Sequence, residues 1–185
     1  NQPANSTCLG NNAQVTATNQ VQLGNSSTTT YAYGAVQDRS DERDKADIEG
    51  IHLGLDFIDA LTPRSYKFDY REDYREHTTE MQEVITQDEG GNNVITHEEV
   101  TVPDTRELGE ITHDGTHKRS RLHCGLVAQE VKQVMDDLGV DFGGYQDHSI
   151  NGGQDVLSIG YGELIAPMIK AIQELKAEID ILKGQ

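Results

Sequence analysis

Apolar residues fall at helical intervals in three stretches of the chain. Between residues 41 and 62, Ile48, Ile51, Leu55, Ile58 and Leu61 recur three and four apart, which predicts an amphipathic helix stopped at Thr62-Pro63. Gly50 and Gly54 fall inside it at a cost of about 1 kcal/mol each relative to alanine, so close packing is expected along that face. Val127, Val131, Val134, Met135 and Leu138 predict a second helix, ended by Gly139. The third, over 163–183, keeps alternating intervals of three and four. Ile165, Ile172 and Ile179 take the a positions of a heptad, and Met168, Leu175 and Leu182 take the d positions. Pro167 is tolerable there only in the first turn. Lys170, Glu174, Lys176 and Glu178 are expected on the outer faces.

Strand signals are shorter. Residues 65–70 alternate aromatic and polar side chains, and Arg121–Leu126 leads into the second helix. Met81–Thr86 and Val94–Val102 read as a hairpin turned at Glu89-Gly90-Gly91-Asn92. Residues 103–120 read as loop. Asn151-Gly152-Gly153 reads as a turn before a last strand, Val156–Ile159. The class expected is α+β: a mixed helix and small antiparallel-sheet domain ending in a long coiled-coil helix.

Residues 1–38 carry a different pattern. Leu9-Gly10-Asn11 returns as Leu23-Gly24-Asn25, a period of 14, in a tract rich in Asn, Gln, Ser, Thr and Gly. So few apolar residues leave it either a disordered linker or the end of a β-solenoid or intertwined β-stalk. In a stalk, Leu9, Val15, Val21 and Leu23 would share a thin core with neighbouring coils or chains. Such arrays need about three repeats or more, so two predict the end of a longer fibre. The domains expected are a stalk end at 1–39 and a body at 40–185 with an acidic insertion at 71–120.

Charge sharpens this boundary. The chain carries a net charge of -17. Asp38 and Arg39 cancel within the first 39 residues, so all of it belongs to the body. That argues against DNA, RNA or anionic membrane as a partner, since each needs a basic footprint. No apolar run reaches membrane length. Cys8 and Cys124 lie on opposite sides of the boundary and do not suggest a disulfide framework. His113 and His117 stand four apart with Gly109 and Gly115 around them and no third ligand in view, so neither a metal nor another cofactor is expected.

The boundary itself carries a serine and, five residues on, a lysine. In one reading Ser40 caps a helix, Asp41, Glu42 and Asp44 complement its dipole, and Lys45 is a solvated cation paired with Asp41 or Glu49. In the other, Ser40 is a nucleophile and Lys45 the base that takes its proton, which requires the amine to be neutral and therefore buried. Residues five apart on a regular helix point about 140° apart. Ser40 must then lie outside the helix and fold back.

Several motifs in order resemble one family: Ser40-Asp41-Glu42-Arg43-Asp44-Lys45, Leu61-Thr62-Pro63-Arg64-Ser65-Tyr66-Lys67-Phe68, Gly125-Leu126-Val127-Ala128-Gln129-Glu130-Val131, Tyr161-Gly162-Glu163-Leu164-Ile165-Ala166-Pro167, and Lys170-Ala171-Ile172-Gln173-Glu174-Leu175-Lys176. Together they look like the C-terminal intramolecular chaperone of phage endosialidases, tail fibres and neck appendages. They are also similar to the self-cleaving domain of myelin regulatory factor. The likeness runs from Ser40 onward, apart from the insertion.

The resemblance implies a virion protein of a tail fibre or tailspike. Its body would assemble as a homotrimer, register the preceding stalk of the same polypeptide for folding, and then cut itself off in a single turnover at Arg39–Ser40. Ser40 and Lys45 would form the catalytic dyad. Arg43, Gly125 and Gln129 are candidate oxyanion donors, and Glu130 a candidate orienter. The trimer seam would be Ile165, Met168, Ile172, Leu175, Ile179 and Leu182, although isoleucine at a with leucine at d favours two strands in isolated peptides. A non-cleaving trimerisation tip and a receptor-binding tip using the acidic hairpin are the alternatives.

Overall fold

The computed structural model describes residues 4–76, 78–87, 90–102, 104–150 and 152–184. Its fold is α+β, with three α-helices and four two-stranded sheets among the described residues. Packing divides the chain into two units: Asn1–Phe68 with Ser120–Gln185, and Asp69–Arg119.

The first unit begins with the repeat. Strands β1 (Thr7–Leu9) and β2 (Val21–Leu23) pair in parallel, Thr7 with Val21 and Leu9 with Leu23, so the register is the 14-residue period itself. Equivalent polar residues stack. Asn5 Nδ2 donates to Asn19 Oδ1 at 2.8 Å, and Asn25 Nδ2 donates to the Asn11 carbonyl at 2.9 Å. Gly10 has φ +121°, and a Cβ there would come within 3.2 Å of the Gly24 Cα, so the rungs approach as closely as only glycine permits.

The predicted helix over 41–62 does not form as one element. Its chain makes a single 3-10 turn, Glu42–Asp44, and a short helix α1, Leu55–Ala60. Asp47 is left-handed at φ 51°, and with Gly50 it breaks the intervening stretch. Ile48 and Ile51 are exposed rather than packed. The buried residue of α1 is Phe57, off the predicted stripe. Its ring meets that of Phe142 at 5.3 Å, a tilted aromatic pair worth about 0.5–1.5 kcal/mol beyond its area. Val131, Met135 and Leu164 complete this core.

Helix α2 (Ala128–Leu138) matches expectation. It ends with Gly139 at φ 64°, where the Val140 N–H returns to the Met135 carbonyl. Strand β3 is Arg64–Tyr66, shorter than the predicted 65–70, and it pairs antiparallel with β6, His123–Gly125. Strand β8 (Leu157–Ile159) pairs with β7 (Tyr145–Asp147), which the sequence pattern did not announce. Of the turn predicted before β8, Asn151 lies outside the described residues, and Gly152 is left-handed at φ 78°.

Helix α3 (Ile165–Lys183) has two apolar stripes. Leu164, just before it, with Pro167 and Ala171 is buried against the body. The six a and d side chains lie on another face and are exposed in the single chain, from 42% at Met168 to 70% at Leu182. Glu174, expected on an outer face, instead reaches α1, where its carboxylate accepts the Leu55 N–H at 2.6 Å. It caps that helix in place of Gly54, which has no side chain to do so. A Cβ on Gly54 would fall 2.2 Å from that carboxylate. The Leu55 amide, and after it Lys170, hold the Glu174 carboxyl below its usual range. A carboxylate with a depressed value stabilises the fold above the ordinary glutamate range, and that contribution is lost as pH falls through the lowered value. Gly54→Ala is therefore expected to push the Glu174 carboxylate off the Leu55 amide and to cost about 1 kcal/mol, the usual effect of losing a helix cap. Glu174→Gln should flatten the acid side of the stability curve. Urea melts between neutral and acidic pH measure both.

In the second unit β4 (Thr78–Gln87) and β5 (Asn93–Val102) form the predicted hairpin, longer than expected at both ends. Of its predicted turn, Glu89 lies outside the described residues, and Gly91 is left-handed at φ 78°. The stretch read as loop (of which Pro103 lies outside the described residues) contains the unit's core. Leu108 and Ile111 are buried around a 3-10 turn, Leu108–Glu110. Asp104 pairs with Arg106 and holds the Glu76 amide at 2.9 Å. Arg106 keeps the Asp104 carboxyl far below its ordinary range. His113 and His117 do not converge on a shared site. His113 faces Asp69 at 3.4 Å, and His117 lies edge-on to the Tyr74 ring at 4.6 Å.

Candidate active site

Ser40 and Lys45 meet. Ser40 ends an exposed segment without regular secondary structure. Asp41, itself extended at φ -69° and ψ 134°, turns the chain into the single 3-10 turn, and Lys45 leaves it extended at φ -119° and ψ 148°. Extended flanks around one tight turn reverse the chain direction, which a continuous helix would not. The Lys45 Nζ donates to Ser40 Oγ at 2.8 Å. The same separation suits the reverse bond, hydroxyl to neutral amine.

The cap is Asp41, not Ser40. Asp41 Oδ1 accepts the Arg43 N–H at 2.9 Å, which leaves the serine hydroxyl free of capping duty. Arg43 folds onto the same carboxylate, Nη2 to Oδ2 at 2.6 Å. Its guanidinium first, then its amide, lowers the Asp41 carboxyl, and the ion pair raises Arg43. As acid protonates Asp41 through that lowered value, the cap weakens. Arg43 is therefore the partner of Asp41 rather than a donor aimed at the Arg39 carbonyl.

Arg39, the residue whose carbonyl would be attacked, is also gripped by this turn. Its Nε and Nη2 donate to Asp44 Oδ2 and Oδ1 at 2.7 and 3.1 Å, the planar fork geometry that fixes orientation as well as charge. Five consecutive residues, Asp41 to Lys45, thus carry the cap, the clamp on Arg39 and the amine. Sequence reasoning missed Asp44. The available signal was an opposite charge five residues from Arg39, the same spacing as Ser40 to Lys45.

The other three candidates belong to a different group of contacts. Gly125 lies in β6 opposite Arg64. A Cβ there would stand 2.3 Å from Tyr161 Oη, and that hydroxyl accepts the Leu126 N–H at 2.8 Å. The glycine is explained by the tyrosine's approach. Glu130 accepts from Arg64 through Nε and Nη2 at 2.8–3.1 Å. Arg64 lowers the Glu130 carboxyl and is itself raised by the pair. Glu130 therefore orients Arg64, not Lys45. Gln129 is exposed in the first turn of α2. Among the described residues none of these three hydrogen-bonds to Ser40 or Lys45.

Both dyad residues are exposed in the single chain. Beside them opens a groove of about 870 Å³, running from Lys45 past Ile48, Ile51 and Leu53 to Val140.

The chain matches no protein-family model, no curated protein and no solved structure in the comparisons made.

Proposed function

We propose that this chain is the trimerising, self-cleaving end of a β-repeat fibre of the phage tail-fibre or tailspike kind, cutting itself at Arg39–Ser40. The observation that carries the reading is the 2.8 Å approach of Lys45 Nζ to Ser40 Oγ, next to a bond whose Arg39 side is clamped by Asp44. The parallel pairing of the upstream repeat supports the fibre reading, and the exposed a and d stripe of α3 supports assembly.

In the reaction, neutral Lys45 takes the Ser40 hydroxyl proton while Oγ attacks the Arg39 carbonyl carbon. The tetrahedral adduct collapses with cleavage of the Arg39–Ser40 C–N bond, and the serine nitrogen takes up a proton. Arg39 is left as an ester on Ser40 Oγ. Water then adds to that ester, releasing an Arg39 carboxylate and restoring the hydroxyl. No second substrate is needed, and each chain turns over once. A lysine acts this way only when its charged form is disfavoured by burial. Packing of a neighbouring copy against the groove beside Lys45 would provide it, so assembly precedes the cut.

The exposure of Lys45 in the single chain is what favours the second reading, a trimerisation tip that never cleaves. N-terminal sequencing and intact mass of the assembled protein decide between them. The expected body has 146 residues, counted from Ser40 to Gln185. A body starting elsewhere refutes the assignment of Ser40. Asp44→Asn, which loosens the Arg39 clamp without touching the dyad, is expected to slow the cut several-fold and leave its position unchanged.

A further inference from the structure

We infer that His148, Gly153 and Gln154 form a docking site for the upstream 14-residue repeat, which keeps the repeat on the body after the linker between them is cut. As a grip on a client segment, the site rests on the chaperone reading above; as a contact, it does not.

The loop joining β1 to β2 presents Thr16 in a prepared shape. Gln20 Oε1 accepts the Thr16 and Ala17 amides at 2.7 and 3.2 Å. On the body, the turned end of the β7–β8 hairpin receives it. The Gln154 N–H donates to the Thr16 carbonyl at 2.6 Å. The His148 ring stands between two hydroxyls, with Nδ1 2.7 Å from Thr16 Oγ1 and Nε2 3.1 Å from Ser158 Oγ. Gly153 is the floor of the site. A Cβ there would lie 1.9 Å from the His148 carbonyl oxygen and 2.6 Å from that of Thr16, so any side chain would force the two backbones apart. By contrast, residues 29–38 are exposed throughout. The peptide link is therefore not what holds the repeat in place. Backbone recognition through Gln154 reads the shape of the loop, and His148 reads a hydroxyl at position 16.

The test separates this from self-cleavage. In the full chain carrying Ser40→Ala, a specific-protease sequence replaces residues 29–36, and the added protease makes the cut. The two pieces are expected to co-elute in size exclusion at micromolar concentration. Gly153→Ala should raise their dissociation constant about fivefold or more, the ratio that loss of one ordinary hydrogen bond gives. Thr16→Val, which lies on the released piece and leaves the body's sequence intact, should raise it several-fold. Immediate separation of the unmutated pieces would overturn the inference, and so would a dissociation constant unchanged by both substitutions.

Discussion

Lys45→Arg is expected to leave the chain uncut, with assembly unaffected. Arginine keeps the positive charge and most of the stem, but it does not give up its proton in a protein. It can therefore donate to Ser40 Oγ yet never accept from it. Lys45→Met removes the amine altogether and should behave alike. A positioned base is worth about 10²–10⁴-fold in rate, enough to turn a cut completed during expression into one barely detectable over days. Ser40→Ala removes the nucleophile and should abolish the cut. The non-cleaving reading makes the opposite forecast: an exposed lysine beside a serine can be changed with no consequence. Refolding from denaturant at several protein concentrations, following the 146-residue product by mass, decides the matter. Cutting by Lys45→Arg at the wild-type rate would end the dyad proposal.

The second large effect is expected at the α3 stripe. Ile172→Asp together with Leu175→Asp should reduce the trimer to monomers and, through loss of assembly, prevent the cut. Ile172 is 65% exposed and Leu175 43%, so the single chain gains little from burying them and should stay folded. Full burial of such a side chain is worth about 1.5–3 kcal/mol, and in the proposed trimer three copies would contribute to one seam. Each chain brings a charge of -17, so the copies repel and added salt should strengthen the wild-type assembly. Light scattering measures both effects. A wild-type monomer at micromolar concentration would refute the trimer, and a dimer would mean that the isoleucine-at-a, leucine-at-d preference prevails.

How much of this was legible in the sequence depended on how local the cause was. Helix α2 and the hairpin β4–β5 follow from short-range periodicity and were readable. The residues alone left Ser40 open between helix cap and nucleophile; the resemblance chose the dyad, and helix geometry required Ser40 to fold back from outside the helix. The apolar spacing over 41–62 overstates the helix, because Asp47, Gly50 and Gly54 interrupt it. Long-range partners were not legible at all. Glu174 and Leu55 are 119 residues apart, and nothing in either neighbourhood announces the other. Glu130 was expected to orient a group at the site, but its partner, Arg64 of β3, lies 66 residues away and was not readable. Gly125 could be read as special, but not as the seat of Tyr161.

The β3–β6 pairing also bears on how such a chain changes over generations. Tyr66 lies opposite His123, so the chain leaves the first unit at Phe68 and re-enters it at Ser120 on adjacent antiparallel strands. Two such strands need only about 2–5 residues to join them. The 51 residues from Asp69 to Arg119 occupy the place of an ordinary hairpin turn, with a small core of their own at Leu108 and Ile111. The strand register is set by Arg64–Tyr66 and His123–Gly125, whatever connects them. The connection is thus a cassette: its length and contents can vary without altering the register of the two strands that flank it.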